Sequence, residues 1–200
     1  KQLNAAFTKV HNKLITFEID LHEFNGMVDK QTQWKIAQML GITREDFEDK
    51  LYETQTAFYE YLKNAIEKKH VEYFPIDDAV KLLDMVIAAE HTYVGVVTGN
   101  IARNASLKLK VSGLTQEISF GAYGDTVDDR PALVADALNR ASAHFGVSFL
   151  PEDIIVIGDT PHDIYAGKAH GTVTIGVATG FTATEAELKD AGADLVVSSL

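Results

Sequence analysis

Ile154–Gly167 reads IIVIGDTPHDIYAG, and this order of residues restricts the fold sharply. Ile154 to Ile157 form a continuous β-branched apolar run, which predicts a strand buried on both faces. Gly158 ends the run, Asp159 follows at once, and Thr160-Pro161 predicts a helix start with Thr as N-cap and Pro in the first turn. Asp159 and Asp163 are thereby gathered where a strand ends and a helix begins, the place where open α/β sheets bind ligands. Two acids there repel unless a proton or a cation lies between them. Hard oxygen ligands suit Mg²⁺, which takes one or two protein carboxylates and fills its other positions with water and phosphate. Asp163 taken alone is better read as a first-turn acid complementing the helix dipole. Asp159 has no such capping explanation.

The same strand–helix unit recurs upstream and downstream. Strands are expected at Tyr93–Val97, Ile118–Tyr123, Val173–Val177 and Asp194–Val197, with helices at Ile101–Val111, Pro131–Phe145, His162–Ala169 and Ala183–Asp190. Apolar, β-branched strands alternating with helices predict an α/β fold, a doubly wound and mostly parallel sheet. The first part departs from that rhythm. Leu14–Ile19 reads as a first strand, but helices follow it without another strand: Met27–Leu40, Thr43 to about His70, and Asp77–Glu90. A helical block in that place predicts an insertion able to act as a lid, residues 25–79, beside a core of residues 1–24 and 80–200.

Composition excludes several functions. With 46% hydrophobic residues in 200, the chain can bury a sizeable core. Its net charge of -11 argues against nucleic acid or an anionic membrane as a partner, so local cations or a metal must draw in any anionic substrate. The 0 cysteines exclude disulfides, thiolate metal sites and a cysteine nucleophile. No apolar run approaches the roughly 18 residues of a membrane helix, and Lys1-Gln2-Leu3-Asn4 is no signal peptide, so a cytoplasmic protein is expected.

Four strand ends carry polar residues that a parallel sheet would place along one edge: Glu18 and Asp20; Thr98-Gly99-Asn100; Asp128-Asp129-Arg130; and Asp159 with Asp163. Thr98 offers a hydroxyl, and the Gly99-Asn100 turn can present backbone N–H groups to an anion at a helix N-terminus. Arg130 offers a planar permanent cation that matches phosphate oxygens. A carboxylate among the acids can attack phosphorus to give an acyl-phosphate. Each residue also has a plainer reading: Thr98 as an N-cap, Arg130 as a solvated surface charge, Glu18 as a strand-edge acid. His162 reads as a solvated residue of a helix start, and Trp34, Tyr52, Phe58, Tyr59 and Tyr61 more as packing than as a substrate face.

The chain resembles the haloacid dehalogenase superfamily, in its phosphoglycolate-phosphatase-like branch with a helical cap. The resemblance lies in VVTGN (Val96–Asn100), Phe120–Ala141, VIGDTPHDIYAGKAHG (Val156–Gly171) and Thr174–Val197, and covers nearly the whole chain. It implies that Thr98 is the phosphate-binding hydroxyl of the second motif and Arg130 the cation of the third. It further implies that Asp159 is a Mg²⁺ ligand, with Asp163 supporting the metal from its flank. The first motif departs from the family, which has Phe-Asp-x-Asp-Gly-Thr where this chain has Phe17-Glu18-Ile19-Asp20-Leu21-His22. Asp20 keeps the acid/base position and Glu18 takes the nucleophile's. Glu is longer than Asp by one carbon–carbon bond, about 1.5 Å, and a misplacement of about 1 Å can cost roughly 10²-fold in rate. A shifted frame, with Asp20 as nucleophile and His22 as proton carrier, breaks the match at Phe17.

The expectation is therefore a Mg²⁺-dependent phosphatase of a small phosphorylated metabolite, with Glu18, Asp20, Asp159 and Asp163 around the metal and Thr98, Gly99, Asn100 and Arg130 on the phosphate. The alternative is a catalytically weakened relative that binds a phospho-ligand or a protein partner.

Overall fold

A computed structural model of the chain describes residues 1–17, 24, 26–115, 118, 120–125, 127–179 and 182–200. Its elements are α1 (Gln2–His11), α2 (Asp29–Met39), α3 (Arg44–Asp49), α4 (Leu51–Glu67), α5 (Asp77–Ala88), β1 (Val96–Thr98), α6 (Ala102–Val111), β2 (Gly121–Tyr123), α7 (Arg130–Phe145), β3 (Ile155–Gly158), α8 (Pro161–Lys168), β4 (Val173–Val177), α9 (Glu185–Asp190) and β5 (Leu195–Val197). The described strands are parallel and joined through helices, as expected of an α/β fold. Their ladders are β1-β2 and β3-β4-β5.

The helical block begins earlier than the sequence pattern suggests. Gln2–His11 is a helix, closed by Asn12 in the left-handed region at φ 52°. It buries Ala6, Phe7 and His11 at i, i+1 and i+5 and packs along α4. His11 stacks on Phe7 and reaches Thr54 Oγ1 at 2.9 Å and Asp46 at 3.3 Å. Phe7 joins Ile36, Ala37, Ile42 and Phe47 in one buried cluster. The long helix expected from Thr43 to about His70 is two, broken at Lys50, whose φ and ψ are -103° and 5°.

Leu14–Phe17, expected to open a strand, joins no described ladder. The reason is a side chain. Asn4 on α1 accepts from the Ile15 N–H at 2.9 Å and donates to the Ile15 carbonyl at 3.2 Å, satisfying both backbone groups that a neighbouring strand would take. Ile15 and Phe17 pack against the helical cluster instead. Ile19, the last residue of the expected strand, lies outside the described residues.

β3 also differs from expectation: it is not buried on both faces. α8 and α9 cover the face bearing Val156, Thr174 and Gly176, so closely that a Cβ on Gly167 would lie 2.6 Å from Thr174 Cγ2. On the opposite face Ile155 and Ile157 are 57% and 43% exposed.

α7 holds the two ladders together. It packs on β1 and β2 along one side and on α8 along another, and its Leu133 and Ala137 share a buried cluster with Ala122 and with Val28, the residue before α2. Its far end is gripped by aromatic rings. Phe145 lies 4.7 Å from Tyr93, 5.5 Å from Phe120 and 6.5 Å from Phe149, centroid to centroid. Such offset pairs add to the energy of burial itself. Among the described residues no helix is long and apolar enough to cross a membrane.

Candidate active site

The junction between β3 and α8 is locally encoded. Thr160 caps α8, accepting from the Asp163 N–H, while Asp163 Oδ2 accepts from the Thr160 N–H at 3.2 Å and its hydroxyl at 2.7 Å. Gly158 permits this closeness, since a Cβ there would stand 2.2 Å from Asp163 Cβ. The other Asp163 oxygen, Oδ1, accepts from Arg130 Nη2 at 3.0 Å, in a pair whose side chains are only 15% and 13% exposed. Asp163 thus serves both as the capping acid and as the partner of Arg130.

Arg130, at the first turn of α7, is no solvated surface charge. Its Nε and Nη1 are buried and have no hydrogen-bond partner among the described residues. Buried guanidinium donors are costly when unpaired. A cation at a helix N-terminus also opposes the helix dipole. Both costs are relieved by an anion against Nε and Nη1.

Asp159 stands at the end of β3. Its Oδ2 and its carbonyl both accept from the Thr182 hydroxyl, at 2.8 and 2.9 Å. Its Oδ1 has no such partner among the described residues and is the free carboxylate oxygen of this junction. Mg²⁺ needs only one or two protein carboxylates, so Asp159 fits a metal, whereas the oxygens of Asp163 are already engaged. Among the described residues no group of three or more His, Asp or Glu stands ready to hold a metal. His162 is exposed and abuts Gly26, where a Cβ would meet its ring at 2.7 Å.

The second junction, between β1 and α6, is pinned from a distance. Asn100 donates to Thr98 Oγ1 through both its N–H, at 3.2 Å, and its side-chain amide, at 2.9 Å. The N-cap of α6 is Ile101, so Thr98 does not cap it. The Ile101 N–H goes to Asp29 Oδ2 at 2.9 Å, the Ala102 N–H to Asp125 at 3.4 Å, and the Asp29 N–H to the Gly99 carbonyl at 2.6 Å. The amides of residues 100 to 102 are therefore occupied, and the Thr98 hydroxyl is a group this turn can still offer an anion. Gly99 is required by close approach: a Cβ would lie 2.5 Å from the Met27 carbonyl. Gly124 would likewise put a Cβ 2.0 Å from the Gly99 carbonyl.

Asp29 and Lys108 complete this turn, and neither stands out in the sequence. Lys108 Nζ donates to Asn100 Oδ1 at 2.6 Å. Burial pushes the Asp29 carboxyl up, against the Ile101 N–H and Lys108, and pushes the Lys108 ammonium down, against Asp29. Both move toward their neutral forms, so loss of water outweighs their mutual attraction. A signal was available for Lys108. Ile101, Asn104, Ala105 and Lys108 fall at i, i+3, i+4 and i+7, which sets a lysine on the inward stripe of α6.

Of the expected site residues, Arg130, Asp159 and Asp163 gather around the β3–α8 junction. Thr98, Gly99 and Asn100 form the β1–α6 turn, and α7 packs on β1 and β2 and on α8. Glu18 and Asp20 lie outside the described residues. Of the aromatic residues, Trp34 meets Phe47 at 5.2 Å, and Tyr59 and the exposed Tyr52 flank the Arg103 guanidinium, which also donates to Thr56 at 2.9 Å.

Residues 12–177 match the family described as haloacid dehalogenase-like hydrolase. The chain belongs to that family. Among curated relatives of this hydrolase, pyrophosphatase PpaX of Anoxybacillus flavithermus is 30% identical over 186 residues, spanning 86% of this chain and 79% of the relative. Two solved structures share the fold. CbbY from Rhodobacter sphaeroides, in complex with xylulose-(1,5)bisphosphate, aligns with a TM-score of 0.71 at 18% identity, covering 99% of this chain and 85% of that one. A hydrolase from Pseudomonas syringae aligns with a TM-score of 0.69 at 20% identity, covering 99% and 86%. This haloacid dehalogenase-like hydrolase is an enzyme, and hydrolysis of phosphate esters is the reaction class its family membership supports.

Proposed function

We propose that the protein is a cytoplasmic, Mg²⁺-dependent phosphatase acting on a small phosphorylated metabolite. The observation that carries this reading is Arg130, buried beside Asp163 with two donors that have no partner among the described residues. A phosphoryl group supplies the oxygens those donors lack. The Thr98 hydroxyl is a further donor to the same class of ligand. Asp159, whose Oδ1 has no partner among the described residues, would hold Mg²⁺, which supplies charge neutralisation at the transferring group. Asp163 holds Arg130 in place. In this reading a Glu18 carboxylate oxygen attacks phosphorus and the bond to the leaving oxygen breaks as Asp20 protonates it. Asp20 then takes a proton from water, whose oxygen attacks phosphorus, releasing phosphate and restoring Glu18. The helical block α2–α4, with α1 packed on it, would serve as the lid that excludes water and selects the leaving group.

The test is hydrolysis of p-nitrophenyl phosphate and of pyrophosphate with Mg²⁺, by the wild-type chain beside Glu18→Gln, Asp20→Asn and Asp159→Ala. Turnover lost in all three variants is expected. Turnover that survives Glu18→Gln would put the nucleophile elsewhere. A second reading is a weakened family member that binds a phospho-ligand or a protein partner without efficient turnover. It is favoured by the Asn4 clasp, which occupies both backbone groups of Ile15 just before the first motif. Phosphate binding without turnover would select it.

A further inference from the structure

The Thr98 hydroxyl helps a phosphoryl group only if its proton points outward. A hydroxyl has one proton to give and two lone pairs with which to accept. Here Oγ1 accepts from the Asn100 N–H at 3.2 Å and from the Asn100 side-chain amide at 2.9 Å. With both lone pairs engaged, the proton is free to donate to a third partner. That outcome depends on which way the Asn100 amide faces. Turned over, its carbonyl oxygen would sit against Oγ1 and capture the proton. The residue that decides is Lys108, whose Nζ lies 2.6 Å from Asn100 Oδ1. An ammonium has three donors and no acceptor, so it tolerates only the oxygen side of the amide.

We propose that Lys108 is a positioning residue of the phosphate site. It holds the Asn100 amide in the orientation that makes the Thr98 hydroxyl an obligate hydrogen-bond donor to a bound phosphoryl group. The inference rests on the phosphatase reading above. Its surroundings suit the role. Lys108 is half-buried on the inward stripe of α6, its Nζ stands 5.3 Å from the Tyr73 ring centroid, and Asp29 is the acid that balances its charge. The Asn100 carbonyl accepts from the Gly124 N–H at 2.9 Å, which holds the backbone beneath the amide. The amide orientation is then what Lys108 alone controls in this turn.

The experiment is a double-mutant cycle read by titration calorimetry with inorganic phosphate in the presence of Mg²⁺, on wild type, Lys108→Met, Thr98→Val and the double variant. Lys108→Met is expected to weaken phosphate about ten- to a hundredfold, the range for a hydrogen bond to a charged group. In the Thr98→Val background the same change is expected to have no effect, because there is no hydroxyl left to orient. An equal loss in both backgrounds would overturn the proposal and make Lys108 a direct electrostatic attractor. No loss in the wild-type background, with melting temperature preserved, would overturn it as well while leaving the phosphatase reading intact. Absence of phosphate binding by the wild type would overturn that reading and this inference together. If Lys108→Met does not fold, Asn100→Ala takes its place in the cycle, with the same Thr98-dependent loss expected and the same outcomes against it.

Discussion

The two strand-to-helix junctions do similar work by opposite means. At β3–α8, Gly158, Thr160 and Asp163 hold one another within a span of six residues, and the junction reaches outward through Arg130, through Thr182 on Asp159 and through His162 against Gly26. At β1–α6, little is local beyond the Thr98–Asn100 pairing. The turn is fixed by Asp29, 72 residues before Ile101, by Lys108, and by Gly124 and Asp125 on the loop after β2. A local junction forms with its helix. A distributed one forms only after α2, α6 and β2 have met.

The largest effect expected separates chemistry from stability at the local junction. Arg130→Met should lower kcat/KM for a phosphomonoester by about 10²- to 10³-fold, the scale of one lost electrostatic donor. Arg130→Met also leaves Asp163 Oδ1 without its partner, so some fall in melting temperature is expected beside it; a rate loss no larger than that of Asp163→Asn at equal destabilisation would assign Arg130 to structure. The distributed junction is broken by Gly124→Ala, whose Cβ would meet the Gly99 carbonyl at 2.0 Å, backbone against backbone. A loss of about 1–3 kcal/mol in denaturant unfolding is expected, together with weaker phosphate binding. A smaller, confined effect is expected of Thr160→Ala: about 1 kcal/mol for the lost cap, with faster amide exchange limited to the first turn of α8. Faster exchange spreading to β1 would erase the distinction between the junctions.

The smallest effect concerns pH. Asp194 accepts from Lys168, at 2.5 Å, and from the Thr174 N–H and hydroxyl, tying β5 to β4 and α8. Those bonds, the one from Lys168 first, lower its pKa to about 2. A depressed carboxyl stabilises the fold above its unfolded pKa of about 3.9 and ceases to do so as pH falls through 2. The stability gap between wild type and Asp194→Asn should therefore narrow from pH 4 to pH 2. A gap that stays constant across that window would remove Asp194 from the acid sensitivity of the fold.

This contrast also explains what was legible beforehand. The β3–α8 junction could be read because capping chemistry acts over three or four residues, and Thr160, Pro161 and Asp163 stand in that order. Most helices were legible from their periodicity, and α1 carries the same signal, with Leu3, Ala6, Phe7 and Val10 at i, i+3, i+4 and i+7, although the expected elements begin only at Leu14. The β1–α6 turn showed Thr98, Gly99 and Asn100; of their supports only Lys108 left a mark, on the inward stripe of α6, while nothing near Asn100 announces Asp29. Leu14–Phe17 misled for a related reason. Its apolar pattern is that of a strand, and one amide 11 residues upstream of Ile15 answers both of its backbone groups. Periodicity reports which side chains seek burial, not which polar groups will satisfy the backbone.

Helix α7 gives the site a long support. Its sixteen residues span about 24 Å, with Arg130 at one tip and Phe145 wedged among Tyr93, Phe120 and Phe149 at the other. The rod is also seated along its length, where Leu133 and Ala137 lie in the buried cluster with Val28 and Ala122. The guanidinium's position is thus set by packing along the whole helix, from the residue before α2 to the ring cluster at its far end.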